Sequence, residues 1–334
     1  MKIRTSVMTL PLARPFRITR GTYTEGSTVL VEIEHDGITG YGEAAPIERY
    51  HTSVDDVMAF FKTYRPPVDD PYRIEDLLAG VPEASRCGLD IALYDWVGKA
   101  VGKPLWQLFG LDPAKAGVTS LTVGIEDTID EMVDHVRLKG NVPVLKIKLG
   151  AGKEVETLEA IRAVYRGDIR LDANEGWTAE QTVTLLNEME RLGIQLCEQP
   201  IPAGHPEQLR YIRDRVKIPI VADEDAVVPS DLAALIGCVD GVNLKLSKAG
   251  GIRAGLQFIH TARSLGFKIM LGCMIETSVL GSAGAQLAPL VDWPDIDGPL
   301  ILAKSPFDGA DVSTGHIKLN NEPGLGVRRA SVPA

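Results

Sequence analysis

Five apolar segments of the chain each end in a residue that could bind a metal ion or move a proton. These residues are Lys148, Asp172, Glu198, Asp223 and Lys245. They follow one another at intervals of 24, 26, 25 and 22 residues, and each interval is long enough for one strand plus one helix. In a barrel of alternating strands and helices, the strand ends deliver such side chains to a common rim. We therefore expect three carboxylates and two lysines to share one cavity.

The three carboxylates have the chemistry of a magnesium site. Asp172, Glu198 and Asp223 would each offer an oxygen ligand from its own strand and leave other coordination positions for water or substrate. No histidine or cysteine pair accompanies them, so Mg²⁺ is favoured over Zn²⁺. A single carboxylate at a strand end often only caps a turn. Three at regular spacing, flanked by lysines, favour a metal site.

The lysines indicate acid–base chemistry. Lys146 and Lys148 share one face of a strand because alternate residues of a strand point the same way. A lysine becomes a general base only when nearby positive charge lowers its pKa, and Lys146 and the metal ion would provide that charge. Lys245 would face Lys148 across the barrel. A carbon between them could lose a proton to one lysine and gain one from the other, which is epimerisation through a metal-stabilised enolate.

The second part of the chain supplies the elements that would position these residues. From Gly117 onward, strand-like and helical segments alternate, and no eighth helix is evident. This pattern predicts an α/β fold, a (β/α)7β modified TIM barrel spanning residues 113–307. The strands are predicted at 120–123, 144–149, 169–172, 195–198, 218–223, 242–246, 268–272 and 293–297.

The first hundred residues lack this alternation. A strand at 29–34 runs into the turn signal Asp36-Gly37, and helical patterns follow at 54–64 and 85–100. We interpret residues 1–112 as an α+β capping domain. The C-terminal segment, about 308–334, is predicted to fold back and complete it.

Composition argues against several classes of protein. The net charge of −10, from 35 basic and 45 acidic residues in 334, comes without a basic cluster and argues against nucleic acid as a partner. No apolar segment reaches the roughly 18 residues that span a bilayer, and the N-terminus lacks a signal-peptide pattern. We therefore expect a cytoplasmic protein with no membrane partner. Its four widely spaced cysteines indicate buried thiols.

The motifs together resemble the muconate-lactonising branch of the enolase superfamily over nearly the whole chain. They are Lys-Ile-Lys, Asp-Ala-Asn-Glu, Glu-Gln-Pro, Ala-Asp-Glu and Asn-Leu-Lys, in that order. A lysine base with a Mg²⁺-stabilised ene-diolate is known from this superfamily. Asp295-Ile-Asp297 resembles the Asp-x-Asp motif with which its dipeptide epimerases hold the substrate α-ammonium group.

The resemblance implies a Mg²⁺-dependent isomerase of peptidoglycan peptide metabolism. It would invert the α-carbon of the C-terminal residue of an L-Ala-Xaa dipeptide, with L-Ala-D/L-Glu expected. Contacts to the small-molecule dipeptide are implied for Thr122, Lys146, Cys273, Ile275, Asp295 and Asp297, with Asn174 and Glu224 supporting the site. Arg20 would pair with the side-chain carboxylate of the second residue. Members of the branch often form rings, so a homo-oligomer is expected.

Asp225 departs from the family pattern, in which many relatives carry a small serine at this position. It could repel an acidic substrate side chain or add a ligand to the metal, so the identity of Xaa stays open. Alternatives within the fold are an o-succinylbenzoate synthase or a muconate-type cycloisomerase, whose substrates have no ammonium group for Asp295 and Asp297. More remote alternatives are a Schiff-base aldolase, with one lysine as nucleophile, and a non-catalytic binding protein.

Overall fold

A computed structural model describes residues 1–331 of the chain. It begins with an antiparallel sheet of three strands, β1 (Lys2–Ile18), β2 (Gly21–His35) and β3 (Ile38–Ala44), in the order β1-β2-β3. The hairpin predicted at Asp36-Gly37 is confirmed, and both residues have the positive φ of a primed turn, 49° and 75°. The long β1 was not predicted. Two prolines interrupt its sequence pattern, and its register with β2 shifts between Pro11 and Phe16.

Helices cover this sheet. They are α1 (Val54–Thr63), α2 (Ile74–Leu78), α3 (Glu83–Ala100) and the short α4 (Leu105–Leu108). A capping box between Ser53 and Asp56 fixes the start of α1. Glycine lets α3 approach β3 closely, because a Cβ at Gly42 would lie 1.9 Å from the carbonyl oxygen of Gly88. The α+β character of the first hundred residues is confirmed.

Eight parallel strands form the second sheet, in the order β11-β10-β9-β8-β7-β6-β5-β4. They are β4 (Leu121–Val123), β5 (Val144–Lys148), β6 (Asp168–Asp172), β7 (Ile194–Glu198), β8 (Ile220–Ala222), β9 (Gly241–Lys245), β10 (Lys268–Gly272) and β11 (Trp293–Asp295). The amide of Ser120 donates to the carbonyl of Pro294 and so joins the first strand to the last. All eight predicted strands are present, with ends that differ by a few residues.

Helices connect the strands on the outside of the barrel. They are α5 (Ile129–Lys139), α6 (Glu154–Val164), α7 (Ala179–Met189), α8 (Pro206–Arg213), α9 (Leu246–Ala249), α10 (Ile252–Ser264) and α11 (Ser278–Leu287). The connection after β8 is a 3₁₀ helix, Pro229–Leu235, and β11 is followed only by a 3₁₀ turn at Gly298–Ile301. The predicted (β/α)7β architecture with an N-terminal capping domain is confirmed.

The barrel interior is closed below the functional rim. Leu196, Val221, Met270 and Trp293 form a buried apolar cluster inside the strands. Arg170 is also buried, and its guanidinium donates 2.6 Å to the side-chain oxygen of Gln195 and also to the Pro294 carbonyl. A molecule entering the barrel must therefore stay at the rim.

Buried carboxylates of the capping domain fasten it to the barrel helices. Glu43, at the end of β3, accepts hydrogen bonds from the backbone amides of Thr277 and Leu280, at 3.0 and 3.2 Å, where α11 begins. Asp90, in α3, accepts from the amides of Ile252 and Arg253, at 2.5 and 3.2 Å, where α10 begins. A carboxylate is favourable at a helix N-terminus because it pairs with free amides and the positive end of the helix dipole.

The C-terminal segment returns to α3. Asp95 accepts a 2.8 Å hydrogen bond from the amide of Leu325, and two short strands pair beyond the barrel, β12 (Phe307–Asp308) and β13 (Arg328–Arg329). These contacts agree with the predicted completion of the capping domain, whose limits stay a prediction. Residues 332–334 of that segment lie outside the described residues. Within residues 1–331, no helix combines the length and apolar character needed to cross a bilayer.

Candidate active site

The strand register brings the predicted residues to one rim. Lys148 at the end of β5 lies beside Asp172 at the end of β6, and Asp172 lies beside Glu198 at the end of β7. Asp223 follows β8 directly, and Lys245 ends β9. The three carboxylates are fully buried, each with 0% exposure, so their charges must be balanced inside the site.

Lys146 lies at the centre of the carboxylates. Its ammonium nitrogen is 2.6 Å from Glu198 Oε2, 2.7 Å from Asp295 Oδ2 and 3.1 Å from Asp172 Oδ2. Burial alone would lower the pKa of Lys146, but the charges of Asp295, Glu198 and Asp172 outweigh burial and raise it well above its usual value. Lys146 therefore stays protonated and acts as a fixed positive charge.

The two lysines of the proposed acid–base pair bind different carboxylates. Lys148 donates to Asp172 Oδ2 at 2.6 Å and to Asn174 Oδ1 at 3.1 Å. Lys245 donates to Asp223 Oδ2 at 2.8 Å. Because β5 and β9 are four strands apart in the eight-stranded barrel, the two ammonium groups approach the cavity from opposite sides. Burial would lower the pKa of Lys245, but Asp223 outweighs burial and raises it well above its usual value. The lowering that a general base requires would therefore have to come from the positive charge of a metal ion held beside Asp223.

Lys248 is a third lysine near the carboxylates, and none of the sequence motifs contains it. It lies in α9, is buried, and donates to Asp223 Oδ1 at 2.6 Å and to the Asp223 carbonyl at 2.7 Å. Lys245 and Lys248 together outweigh burial and hold the pKa of Asp223 well below its usual value. Lys248, in α9, thus fixes the orientation of the Asp223 carboxylate.

The donor set fits a hard divalent cation. Burial, and then the charge of Asp172, raise the pKa of Glu198 to about 7, and Asp223 adds to this effect. Glu198 Oε2 is buried and accepts no well-directed hydrogen bond, despite its 2.6 Å approach to Lys146. Concentrated negative charge and an oxygen free of hydrogen bonds are what a Mg²⁺ ligand requires. Within residues 1–331, no three acidic, histidine or cysteine side chains are grouped closely enough in their present conformations to hold a metal ion. Lys146 lies between two of the carboxylates.

Asp295 and Asp297 lie where the last strand meets the first. Asp295 accepts from Lys146 at 2.7 Å and from the hydroxyl of Ser120. Asp297 accepts from the amide and hydroxyl of Thr122, at 2.6 and 2.9 Å. Burial, and then the charge of Asp295, raise the pKa of Asp297. Both carboxylates line the cavity, where a cation would relieve their repulsion.

The cavity between the capping sheet and the rim has a volume of about 710 Å³, which is a typical size for a small-molecule site. Thr122, Cys273 and Ile275, predicted from the resemblance, line it. The Cys273 sulfur accepts from the amide of Gly298 at 3.2 Å. A Cβ at Gly26 would lie 2.4 Å from the Ile275 Cγ2, so glycine in β2 lets the capping sheet reach this loop.

Arg20 also lines the cavity, and two carboxylates hold it. Its Nη1 lies 2.8 Å from Glu224 Oε1 and 3.0 Å from Glu175 Oε2. Burial, and then the charge of Asp223, raise the pKa of Glu224 to about 8, and the charge of Arg20 opposes this shift. The predicted supporting residue Glu224 therefore contacts Arg20.

Asp225 turns away from the cavity. It accepts hydrogen bonds of 2.7 Å from the Gln199 side chain and 2.7 Å from the Gly204 amide. The side chain of Gln199 also accepts from the amide of Asp223 at 2.8 Å. Gln199 and Asn174 have positive φ, 31° and 45°, and such strained backbone is typical of functional rims. Asp225 thus stabilises the loop behind Asp223, the predicted metal ligand.

Several residues of this site were not found from the sequence. Arg49 and Tyr50 come from the loop after β3, and Glu175 follows Asn174 on the rim. Glu25 and Glu48 line the outer part of the cavity. The loops have no periodic pattern, and the contacts are more than a hundred residues apart in the chain. Glu175 is the last residue of the Asp-Ala-Asn-Glu motif, which was the only available signal, but the motif indicated no role for it.

The fold and site define a two-domain barrel enzyme with opposed lysines above a carboxylate cluster. Residues 2–110 match the N-terminal domain of the mandelate racemase / muconate lactonizing enzyme family, and residues 127–330 match the enolase C-terminal domain-like family. The chain belongs to the mandelate racemase / muconate lactonizing enzyme family, within the enolase superfamily.

Three relatives are similar over almost the whole chain. An L-Ala-D/L-Glu epimerase of Bacteroides thetaiotaomicron is 36% identical, covering 96% of this chain and 86% of its own. The substrate-liganded L-Ala-D/L-Glu epimerase of Bacillus subtilis has a TM-score of 0.90 at 28% identity, with 99% of each chain covered. The Enterococcus faecalis dipeptide epimerase, in complex with Mg and L-Leu-L-Tyr, has a TM-score of 0.89 at 29% identity, covering 97% and 98%.

Proposed function

We propose that this protein is a Mg²⁺-dependent dipeptide epimerase that inverts the α-carbon of the C-terminal residue of an L-Ala-Xaa dipeptide. The observation that carries the proposal is the placement of Lys148 and Lys245 on opposite sides of one carboxylate cluster. Relatives that cover nearly the whole chain are dipeptide epimerases, which supports the same reaction.

Asp172, Glu198 and Asp223 would hold the Mg²⁺ ion. When bound, the ion supplies positive charge that holds the substrate carboxylate and stabilises the enolate oxygens. Lys146 adds a fixed positive charge beside the same carboxylates, 2.6 Å from Glu198. Asn174 supports the site through its 3.1 Å contact with Lys148, and Glu224 supports it through Arg20.

Lys148 and Lys245 would exchange protons with opposite faces of the α-carbon. One lysine removes the α-proton from one stereoisomer, and the other returns a proton to the opposite face of the planar enolate. The roles reverse for the other stereoisomer. Proton transfer by a positioned side chain contributes about 10²–10⁴-fold to a rate.

Asp295 and Asp297 would bind the α-ammonium group of the first residue. The pair is buried, faces the cavity and receives hydrogen bonds from Thr122 and Ser120 that fix its orientation. Thr122, Cys273 and Ile275 would contact the peptide beside it. These carboxylates are the reason to prefer the epimerase over a cycloisomerase or an o-succinylbenzoate synthase, whose substrates carry no ammonium group.

We also propose, from the family resemblance, a cytoplasmic homo-oligomer that acts on peptides derived from peptidoglycan. Size-exclusion chromatography with light scattering tests the assembly, and a monomer would contradict it. Cell fractionation tests the location. Measurable turnover of L-Ala-D/L-Glu, the dipeptide that the resemblance implies, would support the link to peptidoglycan even if a dipeptide with another second residue is turned over faster.

Proton exchange at the α-carbon tests the reaction. In D₂O with Mg²⁺, ¹H NMR of L-Ala-L-Gln should show loss of the second residue's α-proton and formation of the L-Ala-D-Gln diastereomer. Lys148→Ala and Lys245→Ala should both stop inversion, and each should stop α-proton exchange from one stereoisomer only. Lys268→Ala removes an exposed lysine from the other end of the barrel and is the matched control. Inversion by Lys148→Ala at the normal rate would refute the two-base assignment.

A further inference from the structure

The geometry of the proposed reaction decides where the side chain of the second residue must point. In the enolate, the carboxylate, the nitrogen and Cβ lie in one plane, and Lys148 and Lys245 lie on its two faces. The carboxylate points to the metal ligands, and the nitrogen points toward the first residue at Asp295. The floor of the barrel is filled by Arg170 and the apolar cluster. Cβ must therefore point outward, into the part of the cavity lined by the capping domain.

This outer part of the cavity has an apolar surface suited to a long side chain. Phe16 and Ile18 share one face of β1, and Phe16 is the cross-strand partner of Tyr23 in β2. All three residues line the cavity, and Tyr23 is 40% exposed. Aliphatic chain atoms can pack along such a surface, and an aromatic face also attracts a cation.

In this outer part of the cavity, the negative charges are not balanced by positive ones. Arg20 is held by Glu175 and Glu224, and Arg49 donates to Glu175 at 3.0 and 2.7 Å, so each arginine already contacts carboxylate. Glu25 and Glu48 also line the cavity, and neither forms an ion pair with Arg20 or Arg49, whose partners are Glu175 and Glu224. Glu25 lies two residues after Tyr23 in β2, so the two share a strand face.

We propose that Glu25 and Glu48 are specificity-determining residues that make this enzyme prefer a dipeptide whose second residue carries a cationic side chain, lysine or arginine. The inference rests on the proposed epimerase function and concerns the same site. The aliphatic part of such a side chain packs on Phe16, Ile18 and Tyr23, and its charged end reaches the two carboxylates. A glutamate side chain would meet the same carboxylates and be repelled.

Matched pairs of dipeptides separate the effect of side-chain charge from the effect of side-chain length. L-Ala-L-Lys and L-Ala-L-norleucine have side chains of similar length and differ in the ammonium group, whereas L-Ala-L-Glu and L-Ala-L-Gln differ in a negative charge. From the kcat/KM of α-proton exchange, we expect about tenfold preference for lysine over norleucine and for glutamine over glutamate, because the two carboxylates attract a cationic side chain and repel an anionic one.

The variant Glu25→Gln/Glu48→Gln tests the residues themselves. It should bring the lysine-to-norleucine ratio of kcat/KM close to one. Its circular dichroism spectrum and thermal midpoint, compared with those of the wild type, show whether the variant is folded. Glu188→Gln makes the same charge change on an exposed position of α7, outside the cavity, and should leave the ratio as it is.

Three results would overturn the inference while the epimerase function stands. They are faster turnover of L-Ala-L-Glu than of L-Ala-L-Gln, equal turnover of the lysine and norleucine dipeptides, and an unchanged lysine-to-norleucine ratio in the double variant. If no dipeptide of the panel exchanges its α-proton, the proposed function itself fails, and the inference fails with it.

Discussion

Arg49 donates two hydrogen bonds to the Glu175 carboxylate, from Nε at 3.0 Å and from Nη2 at 2.7 Å. Arg49 belongs to the loop after β3 of the capping domain, and Glu175 belongs to the barrel rim directly after Asn174. The Glu175 carboxylate also accepts from Arg20 at 3.0 Å and from the amide of Ala203 at 2.9 Å. One rim residue thus orients two capping loops that cover the cavity.

Loss of the contact between Arg49 and Glu175 should weaken substrate binding more than it slows the chemical step. We expect Arg49→Met and Glu175→Gln each to raise KM about tenfold with a smaller change in kcat, because the loops that cover the substrate lose a bidentate anchor. In a double-mutant cycle on kcat/KM, we expect a coupling energy of about 1 kcal/mol, since Arg49 is partly exposed. The exposed pair Arg4–Glu34 provides a control cycle with no effect on activity. Additive effects of Arg49→Met and Glu175→Gln would contradict the anchor.

Neutralising the Asp-x-Asp carboxylates should cost affinity only for substrates with an ammonium group. Asp295→Asn or Asp297→Asn should lower kcat/KM for a dipeptide about 10–100-fold, as expected when a buried charge-assisted hydrogen bond is lost. The des-amino analogue, an N-propionyl amino acid, is the control substrate, and its slow exchange should change little. Equal losses for both substrates would mean that the carboxylates act on Lys146 rather than on the ammonium group.

Removing the metal should stop exchange reversibly. Chelation by EDTA should abolish α-proton exchange, and excess Mg²⁺ should restore it, because the enolate charge needs the divalent cation. Mg²⁺ should also raise the thermal unfolding midpoint of the wild-type protein by mass action, as any ligand of the native state does. Glu198→Gln should lose that shift while remaining folded. A midpoint that responds to Mg²⁺ equally in this variant would exclude Glu198 as a ligand.

Asp90 should make stability fall as pH rises. Burial raises the pKa of this carboxyl to about 7 although the amides of Arg253 and Ile252 and the charge of Arg86 oppose the shift. The folded protein therefore binds the proton more tightly than the unfolded chain. The stabilisation is complete below the unfolded pKa of about 3.9 and is lost as pH rises through 7, with an upper limit of about 4 kcal/mol.

The Asp90→Asn variant tests this titration away from the metal site. Asparagine keeps an oxygen for the α10 amides but cannot ionise. Relative to wild type, its thermal midpoint should rise between pH 5 and pH 8, measured by circular dichroism. Burial raises the pKa of Cys87 and of Tyr94, which both face Asp90, above their usual values, so neither group titrates between pH 5 and pH 8. A difference that does not change with pH would show that Asp90 does not titrate in this range.

The sequence by itself determined the barrel and the rim residues. The strands of parallel barrels are buried apolar segments. A lysine or carboxylate at the end of such a segment, such as Lys148 or Glu198, can therefore be recognised from the sequence alone. The interval of about 25 residues then predicted that these ends meet. The hairpin at Asp36-Gly37 could also be predicted from the sequence, because primed turns require residues that tolerate a positive φ.

Only the tertiary structure decided the charge balance around the cavity. Arg20 was predicted to face a substrate carboxylate, but its partners Glu175 and Glu224 are 155 and 204 residues away in the chain. The position of Lys146 among three carboxylates and the exposure of Glu25 also depend on loops without periodicity. Periodic burial fixes where strands end, whereas an ion pair depends on distances that the chain sets only after it has folded.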